Sequence, residues 1–146
     1  MSVHSISIVG LRSISQVPLA HTLTFRKDQN GLSIAQQVLA SPMAGAPVVD
    51  DQGKFIGFIS EFDILSAFES GRDISQLTAE EIMVQDRIAI QESTSLVDAV
   101  RLMKKHHLLV LPVERDGVVV GCITRQDLLR AWMIQGLGEE QLVQKK

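Results

Sequence analysis

The sequence predicts an α+β protein in which two β-α-β-β-α repeats, related by a pseudo-twofold axis, pack together through their sheets. Three observations predict this fold: an internal repeat, the same order of strands and helices in each copy, and a composition that can fill a core. The 146 residues are 45% hydrophobic and 21% charged, which is ordinary for a globular protein. A unit of about 50 residues buries too little surface to be comfortably stable alone, so the two copies should fold together.

The internal repeat appears when the sequence is aligned with itself. Residues 17–48 match residues 82–113 at an offset of 65. One residue is then dropped in a turn, where a length change costs least, and the offset becomes 64. The later matches are Gly53 with Gly117, Gly57 with Gly121, Ser60 with Thr124, and Asp63 with Asp127. The predicted organisation is an N-terminal extension (1–16), a first repeat (17–69), a linker (70–81), a second repeat (82–134) and a polar C-terminal tail (135–146).

Each copy contains the same elements in the same order. Asn30 and Ser95 are candidate N-caps, because their side-chain oxygens can accept a hydrogen bond from a free N–H of the helix that follows. That helix has apolar residues spaced by three and four, as in Leu96, Ala99 and Met103. Alternating or apolar runs beside turn residues predict the strands. The predicted strands are 22–25, 46–49 and 55–60, and then 87–90, 109–114 and 118–124; the closing helices are 61–68 and 125–133.

Composition argues against several classes of function. The net charge is −3, so no general attraction to nucleic acid or to an anionic membrane is expected. The N-terminus does not resemble a signal peptide, and no apolar run approaches the length of a membrane helix. These features predict a cytoplasmic protein. Cys122 is the one cysteine, and it lies in an apolar run where a buried small hydrophobic role is favoured over a redox role.

No catalytic or metal-binding constellation is found in the sequence. His106 and His107 follow two lysines at the end of a predicted helix, where cations complement the helix C-terminus. Adjacent histidines point in different directions on a helix, unlike the i, i+4 pairs that bind zinc. No set of nucleophile, base and orienting group assembles. The sequence therefore predicts that the protein is not an enzyme and has no metal site.

Two Ser/Thr-x-x-Asp motifs are the main candidates for a binding site. Ser60 with Asp63, and Thr124 with Asp127, lie where a predicted strand leads into a helix. One interpretation is structural, because this spacing is typical of a capping box at a helix N-terminus. The other is functional, because a carboxylate can accept two adjacent hydroxyl hydrogen bonds, as from the 2′ and 3′ hydroxyls of a ribose. The two roles are compatible.

The pattern as a whole resembles a tandem pair of CBS domains (cystathionine β-synthase domains), also called a Bateman module. The resemblance covers about residues 17–134. The residues that carry it are 46–50 (APVVD), Gly53 and 57–65 (GFISEFDIL) in the first copy, 81–83 (EIM) before the second copy, and 111–113 (LPV), Gly117 and 121–129 (GCITRQDLL) within it.

The resemblance implies a regulatory module that binds adenine-containing ligands in clefts between the two repeats and often forms a homodimer. It implies ribose contacts at Ser60, Asp63, Thr124 and Asp127. It also implies adenine pockets near the first strand and the strand that begins at proline. The residues in question are Val84, Ile88, Leu111 and Pro112 in one site, and Leu19, Leu23, Ala46 and Pro47 in the other. For each of them taken alone, a place in the core is the favoured interpretation.

The two predicted sites differ in charge. Arg125 follows Thr124 and could pair with a phosphate, whereas Glu61 follows Ser60 and would repel one. The second site is therefore favoured for a nucleotide. The alternative is that Arg125 is an ordinary solvated helix residue. The family's basic residues before the Leu-Pro-Val strand are replaced by 44–45 (AG) and 109–110 (LV). AMP is therefore favoured over ATP, and ADP, ATP and S-adenosylmethionine are kept as alternatives. The rival hypothesis is a ligand-free module for dimerisation or for docking an unknown protein partner.

Overall fold

The computed structural model describes residues 13–144, with side chains described over 13–134. It contains two three-stranded sheets, with strand orders β1-β2-β3 and β4-β5-β6, and helices from both repeats. The predicted α+β class is confirmed. Residues 1–12 of the predicted N-terminal extension and residues 145–146 of the tail lie outside the described residues.

The first repeat follows the predicted β-α-β-β-α order. Strand β1 pairs in parallel with β2, and β2 pairs antiparallel with β3. The elements are β1 (Phe25–Arg26), α1 (Gly31–Leu39), β2 (Gly45–Val49), β3 (Phe55–Ser60) and α2 (Glu61–Glu69).

The second repeat has the same topology, with a parallel pair followed by an antiparallel pair. A short helix, α3 (Ala79–Ile82), precedes it. The other elements are β4 (Ile90–Gln91), α4 (Leu96–His106), β5 (Val110–Arg115), β6 (Val118–Thr124) and α5 (Arg125–Gln144). The last helix is continuous through residues 135–144, which belong to the predicted polar tail.

The helix starts agree with the predicted caps. The side chain of Asn30 accepts a hydrogen bond of 2.9 Å from the backbone N–H of Leu32. The hydroxyl of Ser95 accepts one of 3.0 Å from the N–H of Asp98. Each cap satisfies one of the N–H groups that a helix start leaves unpaired.

The first strand of each repeat is shorter than predicted. The predicted strands 22–25 and 87–90 are reduced to Phe25–Arg26 and Ile90–Gln91. The residues before each of these strands cross to the other repeat. His21 bridges Cys122 on β6, and Val84 bridges Phe58 on β3. Alternation of apolar and polar residues identifies an extended segment, but it does not show which strand that segment pairs with.

The segment that leads into each repeat also packs in the core of the other repeat. Ile14 and Val17 are buried in the second core, which includes Leu96 and Leu111. Ile74 and Ile82 are buried in the first core. The segment expected to be a linker therefore contributes to the first core, and the two cores depend on each other.

The two crossings are related by the pseudo-twofold symmetry. The N–H of Ile14 donates a hydrogen bond of 2.8 Å to the carbonyl of Thr94, and the N–H of Ala79 donates one of 2.9 Å to the carbonyl of Gln29. These pairs are equivalent at the 65-residue offset. Among the described residues, no helix has both the length and the apolar character required to cross a membrane.

Candidate functional site

The Ser60 motif forms a complete capping box at the start of α2. The hydroxyl of Ser60 accepts a hydrogen bond of 3.2 Å from the N–H of Asp63. In return, Oδ2 of Asp63 accepts hydrogen bonds of 2.7 Å from the N–H and 2.9 Å from the hydroxyl of Ser60. The protein hydrogen bonds found for this carboxylate among the described residues all reach Oδ2, so Oδ1 is available to a ligand.

A cavity of about 430 Å³ lies beside this carboxylate. Its volume falls within the range of small-molecule pockets. The first repeat contributes Ser60, Asp63 and Phe58 to the lining, together with two other residues. The second repeat contributes apolar residues that include Val84 and Ile88. The cavity therefore lies between the two repeats, with a polar edge at the N-terminus of α2 and apolar walls.

Three of the four residues expected for one adenine pocket line this cavity. They are Val84, Ile88 and Pro112. Leu111 does not, because its side chain packs in the core of the second repeat. Successive residues of a strand point to opposite faces, so Pro112 reaches the cleft and Leu111 does not. The structure therefore places Leu111 outside this cavity.

Three polar residues of the cavity were missed by the sequence analysis. Asp86, His106 and His107 line the same space as Asp63. His107 ends α4 in a left-handed conformation, with φ of 54°, and this turn brings the end of the helix to the cleft. The available signal was that both histidines lie just before a strand that contains a Pro-Val pair. In the sequence, the two histidines were interpreted only as cations at a helix C-terminus.

The second motif has the same local geometry but a different environment. The hydroxyl of Thr124 accepts a hydrogen bond of 3.2 Å from the N–H of Asp127, and Oδ2 of Asp127 accepts one of 2.8 Å from the N–H of Thr124. Asp127 is buried, and its carboxylate contacts two cationic or potentially cationic side chains. His21 Nε2 lies 3.4 Å from Oδ2, and Arg130 Nη1 lies 3.4 Å from Oδ1. Both oxygens therefore have partners.

The cavity on this side does not reach the motif. It has a volume of about 440 Å³ and is lined by residues that include His21, Leu23 and Met43, but not by Thr124 or Asp127. Of the four residues expected for this adenine pocket, only Leu23 lines it. Leu19 is partly buried against the second core, Ala46 belongs to the first core, and Pro47 is fully buried.

Arg125 lies outside both of these cavities. Its side chain is exposed and lines an outer groove between α4 and α5, together with Lys104 and Trp132. The structure therefore does not bring Arg125 into the cleft at Asp127, in contrast to the expectation that it pairs with a phosphate there. An exposed arginine in the first turn of a helix fits the alternative, an ordinary solvated residue.

Cys122 is 1% exposed. Burial away from water raises the pKa of its thiol to about 12, because desolvation disfavours the charged thiolate. The interpretation of Cys122 as a buried small hydrophobic residue is confirmed.

A family model for the CBS domain matches residues 14–70 and 79–134. An uncharacterised protein of Methanopyrus kandleri is 25% identical over 132 residues, which are 88% of this chain and 67% of that protein. The inosine-5′-monophosphate dehydrogenase of Nitrosopumilus maritimus is 31% identical over 87 residues, and the match covers only 17% of that enzyme. The chain spans less than half of the length of several other curated relatives.

Solved structures share the fold. The crystal structure of CBSX2 in complex with AMP is 22% identical, with a TM-score of 0.71 over 82% of this chain and 95% of that chain. The CBS domain pair of MJ0100, in complex with 5′-methylthioadenosine and S-adenosyl-L-methionine, is 24% identical, with a TM-score of 0.73 over 84% and 96%. The family model matches both halves of the chain, and the two halves have the same topology. The chain therefore belongs to the CBS domain family, as a tandem pair.

Proposed function

We propose that this CBS pair is a regulatory module that binds an adenine-containing ligand in the cleft at Asp63. One observation carries the proposal: a 430 Å³ cavity lined by both repeats has at its edge a carboxylate with an available oxygen. Solved CBS pairs of the same fold hold AMP, 5′-methylthioadenosine and S-adenosyl-L-methionine, which supports an adenine nucleoside as the common part of the ligand.

The proposed contacts follow from the chemistry of the cleft. Asp63 accepts the ribose hydroxyls, because a carboxylate held by its helix start can receive two adjacent O–H donors. The base fits between Val84 and Ile88, which form part of the apolar wall. Binding of this kind combines an apolar slot with a few polar groups that fix the orientation of the ligand.

The charge of the lining favours a ligand with few phosphates. Asp63 and Asp86 are acidic, and among the described lining residues the only groups that can become cationic are His106 and His107. A triphosphate would place several negative charges where no lysine or arginine lines the cavity. AMP is therefore the favoured nucleotide, and ADP, ATP and S-adenosylmethionine are the alternatives.

The geometry revises which motif is preferred. The sequence favours the motif at Thr124, because Arg125 follows it. Arg125 lines an outer groove, and the carboxylate of Asp127 already contacts two side chains. The motif at Ser60 borders an open cavity, so it is the better candidate.

A ligand in this cleft would touch both repeats at once. It could then favour one arrangement of the repeats over another, provided that its affinity for the two arrangements differs. A protein partner of this chain would respond to that arrangement. The regulatory role thus follows from the position of the cleft and not from any catalytic group.

Isothermal titration calorimetry with adenosine, AMP, ADP, ATP and S-adenosylmethionine tests the proposal. We expect AMP to bind more tightly than ATP, and Asp63→Ala to weaken AMP binding at least tenfold. Thr78→Ala is a matched control, because it removes the hydroxyl of the capping box at the start of α3, which does not line the cavity. The absence of heat with all five compounds would contradict the proposal and leave the ligand-free interaction module as the better account.

We also propose that the protein is a homodimer. Phe62 is 77% exposed, Leu65 57% and Leu129 61%. Leu65 on α2 and Leu129 on α5 are equivalent at the 64-residue offset. Exposed apolar clusters on a folded protein often mark interaction surfaces.

Light scattering during size-exclusion chromatography tests the dimer. The double variant Leu65→Asp, Leu129→Asp is expected to be a monomer. Leu32→Asp is the control, because Leu32 is also exposed but lies in the first turn of α1, where an acidic residue suits the helix dipole. A wild-type protein that is monomeric at micromolar concentration would contradict the proposal.

A further inference from the structure

We infer that the side chain of His21 takes the place of a ligand beside Asp127 in the second cleft. The chain therefore binds one nucleoside, at Asp63, and does not bind a second at Asp127. This inference rests on the proposed function. It concerns a contact within the chain that keeps one of two related carboxylates from a ligand.

The contact lies between a partly buried imidazole and a buried carboxylate. Nε2 of His21 lies 3.4 Å from Oδ2 of Asp127, and the two side chains are 19% and 9% exposed. Arg130 lies at the same distance from the other oxygen, Oδ1, but its side chain is 65% exposed, so a ligand can displace it at little cost. A ribose at Asp127 would have to displace His21 from a carboxylate that already has a partner on each oxygen.

The backbone holds His21 in this position. Its carbonyl accepts a hydrogen bond of 2.8 Å from the N–H of Cys122 on β6. The neighbouring Gly121 allows this approach, since a Cβ there would lie 3.1 Å from the His21 carbonyl oxygen. The imidazole is therefore positioned by the strand that leads directly to Thr124 and Asp127.

The first cleft has a different residue at the equivalent place. At the 65-residue offset, His21 corresponds to Asp86. Asp86 is exposed and lines the cavity that contains Asp63. A carboxylate cannot donate a hydrogen bond to another carboxylate and repels it when both are ionised. The first cleft consequently has no side chain at this position that contacts its carboxylate favourably, and Asp63 remains open.

The linings of the two cavities also differ in whether they include the motif carboxylate. The 430 Å³ cavity includes both Ser60 and Asp63 in its lining. The 440 Å³ cavity on the other side is lined by His21 and not by Thr124 or Asp127. Because His21 contacts Asp127 and also lines this cavity, removal of the imidazole would connect the cavity with the carboxylate.

Titration calorimetry with adenosine at a fixed pH of 7.5 tests the inference. The wild-type protein should bind one adenosine per chain, and His21→Ala should bind two. In the His21→Ala background, Asp63→Ala and Asp127→Ala should each remove one of the two sites. Thr22→Ala is the control, because it alters the wall of the same cavity and should leave one site. His21→Ser serves as a second variant if His21→Ala does not fold.

The outcomes separate this inference from the proposed function. One site in both the wild type and the His21 variants would overturn the inference and leave the proposed site at Asp63 intact. Two sites in the wild type would also overturn the inference. Binding in His21→Ala alone would support the role of His21 at Asp127 and overturn the proposed site at Asp63. No binding by any variant would overturn both.

Discussion

Phe58 and Val84 exchange two backbone hydrogen bonds of 2.9 Å, one in each direction, across the seam between the repeats. Val84 precedes the first strand of the second repeat, whereas Phe58 lies on β3 of the first. Both residues line the cavity at Asp63. The contact that joins the two repeats therefore also forms a wall of the proposed ligand cleft, so the cleft exists only when both repeats are folded.

The segment that leads into each repeat packs in the core of the other repeat, and this predicts that the protein unfolds as one unit. Ile14 is 1% exposed and packs in the core of the second repeat. Ile14→Ala should lower the free energy of unfolding by about 2–5 kcal/mol, because it leaves a cavity in that core. Urea denaturation followed by circular dichroism should show one transition, shifted to lower urea.

Leu39→Ala is the control for this experiment, since Leu39 is 86% exposed and its truncation should change the free energy of unfolding by about 0.5 kcal/mol or less. A biphasic transition in the Ile14 variant would show that the repeats unfold separately and would contradict the interdependence argued from the structure.

A pair of N-cap variants separates helix stability from ligand binding. Ser60 and Ser95 both accept a hydrogen bond from a backbone N–H three residues later. Replacement of either by alanine should cost about 0.5–2 kcal/mol of stability. Only Ser60→Ala should also weaken AMP binding, because Ser60 lines the cavity and holds Asp63. Thermal denaturation and calorimetry on both variants measure the two effects, and an equal loss of affinity in both would reduce the Ser60 motif to a structural cap.

Cys122 provides a test of the packing at the seam. Its thiol has a pKa raised to about 12 by burial, so at pH 8 the native protein should react with iodoacetamide far more slowly than the urea-unfolded protein. Mass spectrometry of the alkylated protein measures both rates. Equal rates in the two states would mean that the seam does not exclude water.

The same burial predicts how stability depends on pH. In the unfolded chain the thiol loses its proton near its ordinary pKa, whereas the folded protein keeps it until about pH 12. The unfolded state therefore binds fewer protons above pH 9, and stability contributed by the neutral thiol should fall as the pH rises through that range. The Cys122→Ala variant should lack this part of the fall in stability. An unchanged pH dependence of stability in that variant would contradict the role assigned to the thiol.

The repeat, the element order and the caps could be predicted because they depend on local patterns. Ser60 and Asp63 were identified for the same reason, since a capping box is readable from spacing alone. Which face of β5 meets the cleft could not be predicted, because Leu111 and Pro112 are both apolar and the sequence does not show which of them faces the core. His107 was missed because its role depends on a left-handed turn at the end of α4.

The partners of the two aspartates could not be predicted for a further reason. His21 is 106 positions from Asp127 in the sequence, and it reaches that carboxylate only because the segment before the first repeat crosses to β6. Arg125 is adjacent to Thr124, yet its side chain lines another groove. Neighbours in sequence were therefore a poor guide to the composition of either cleft.

A crystal structure of the protein grown with AMP tests the central claim most directly. The account predicts electron density for one AMP per chain, with the ribose hydroxyls on the carboxylate of Asp63 and the base against Val84 and Ile88. An unoccupied Asp63 cleft in crystals with AMP bound elsewhere, or with no AMP bound at saturating concentration, would contradict it.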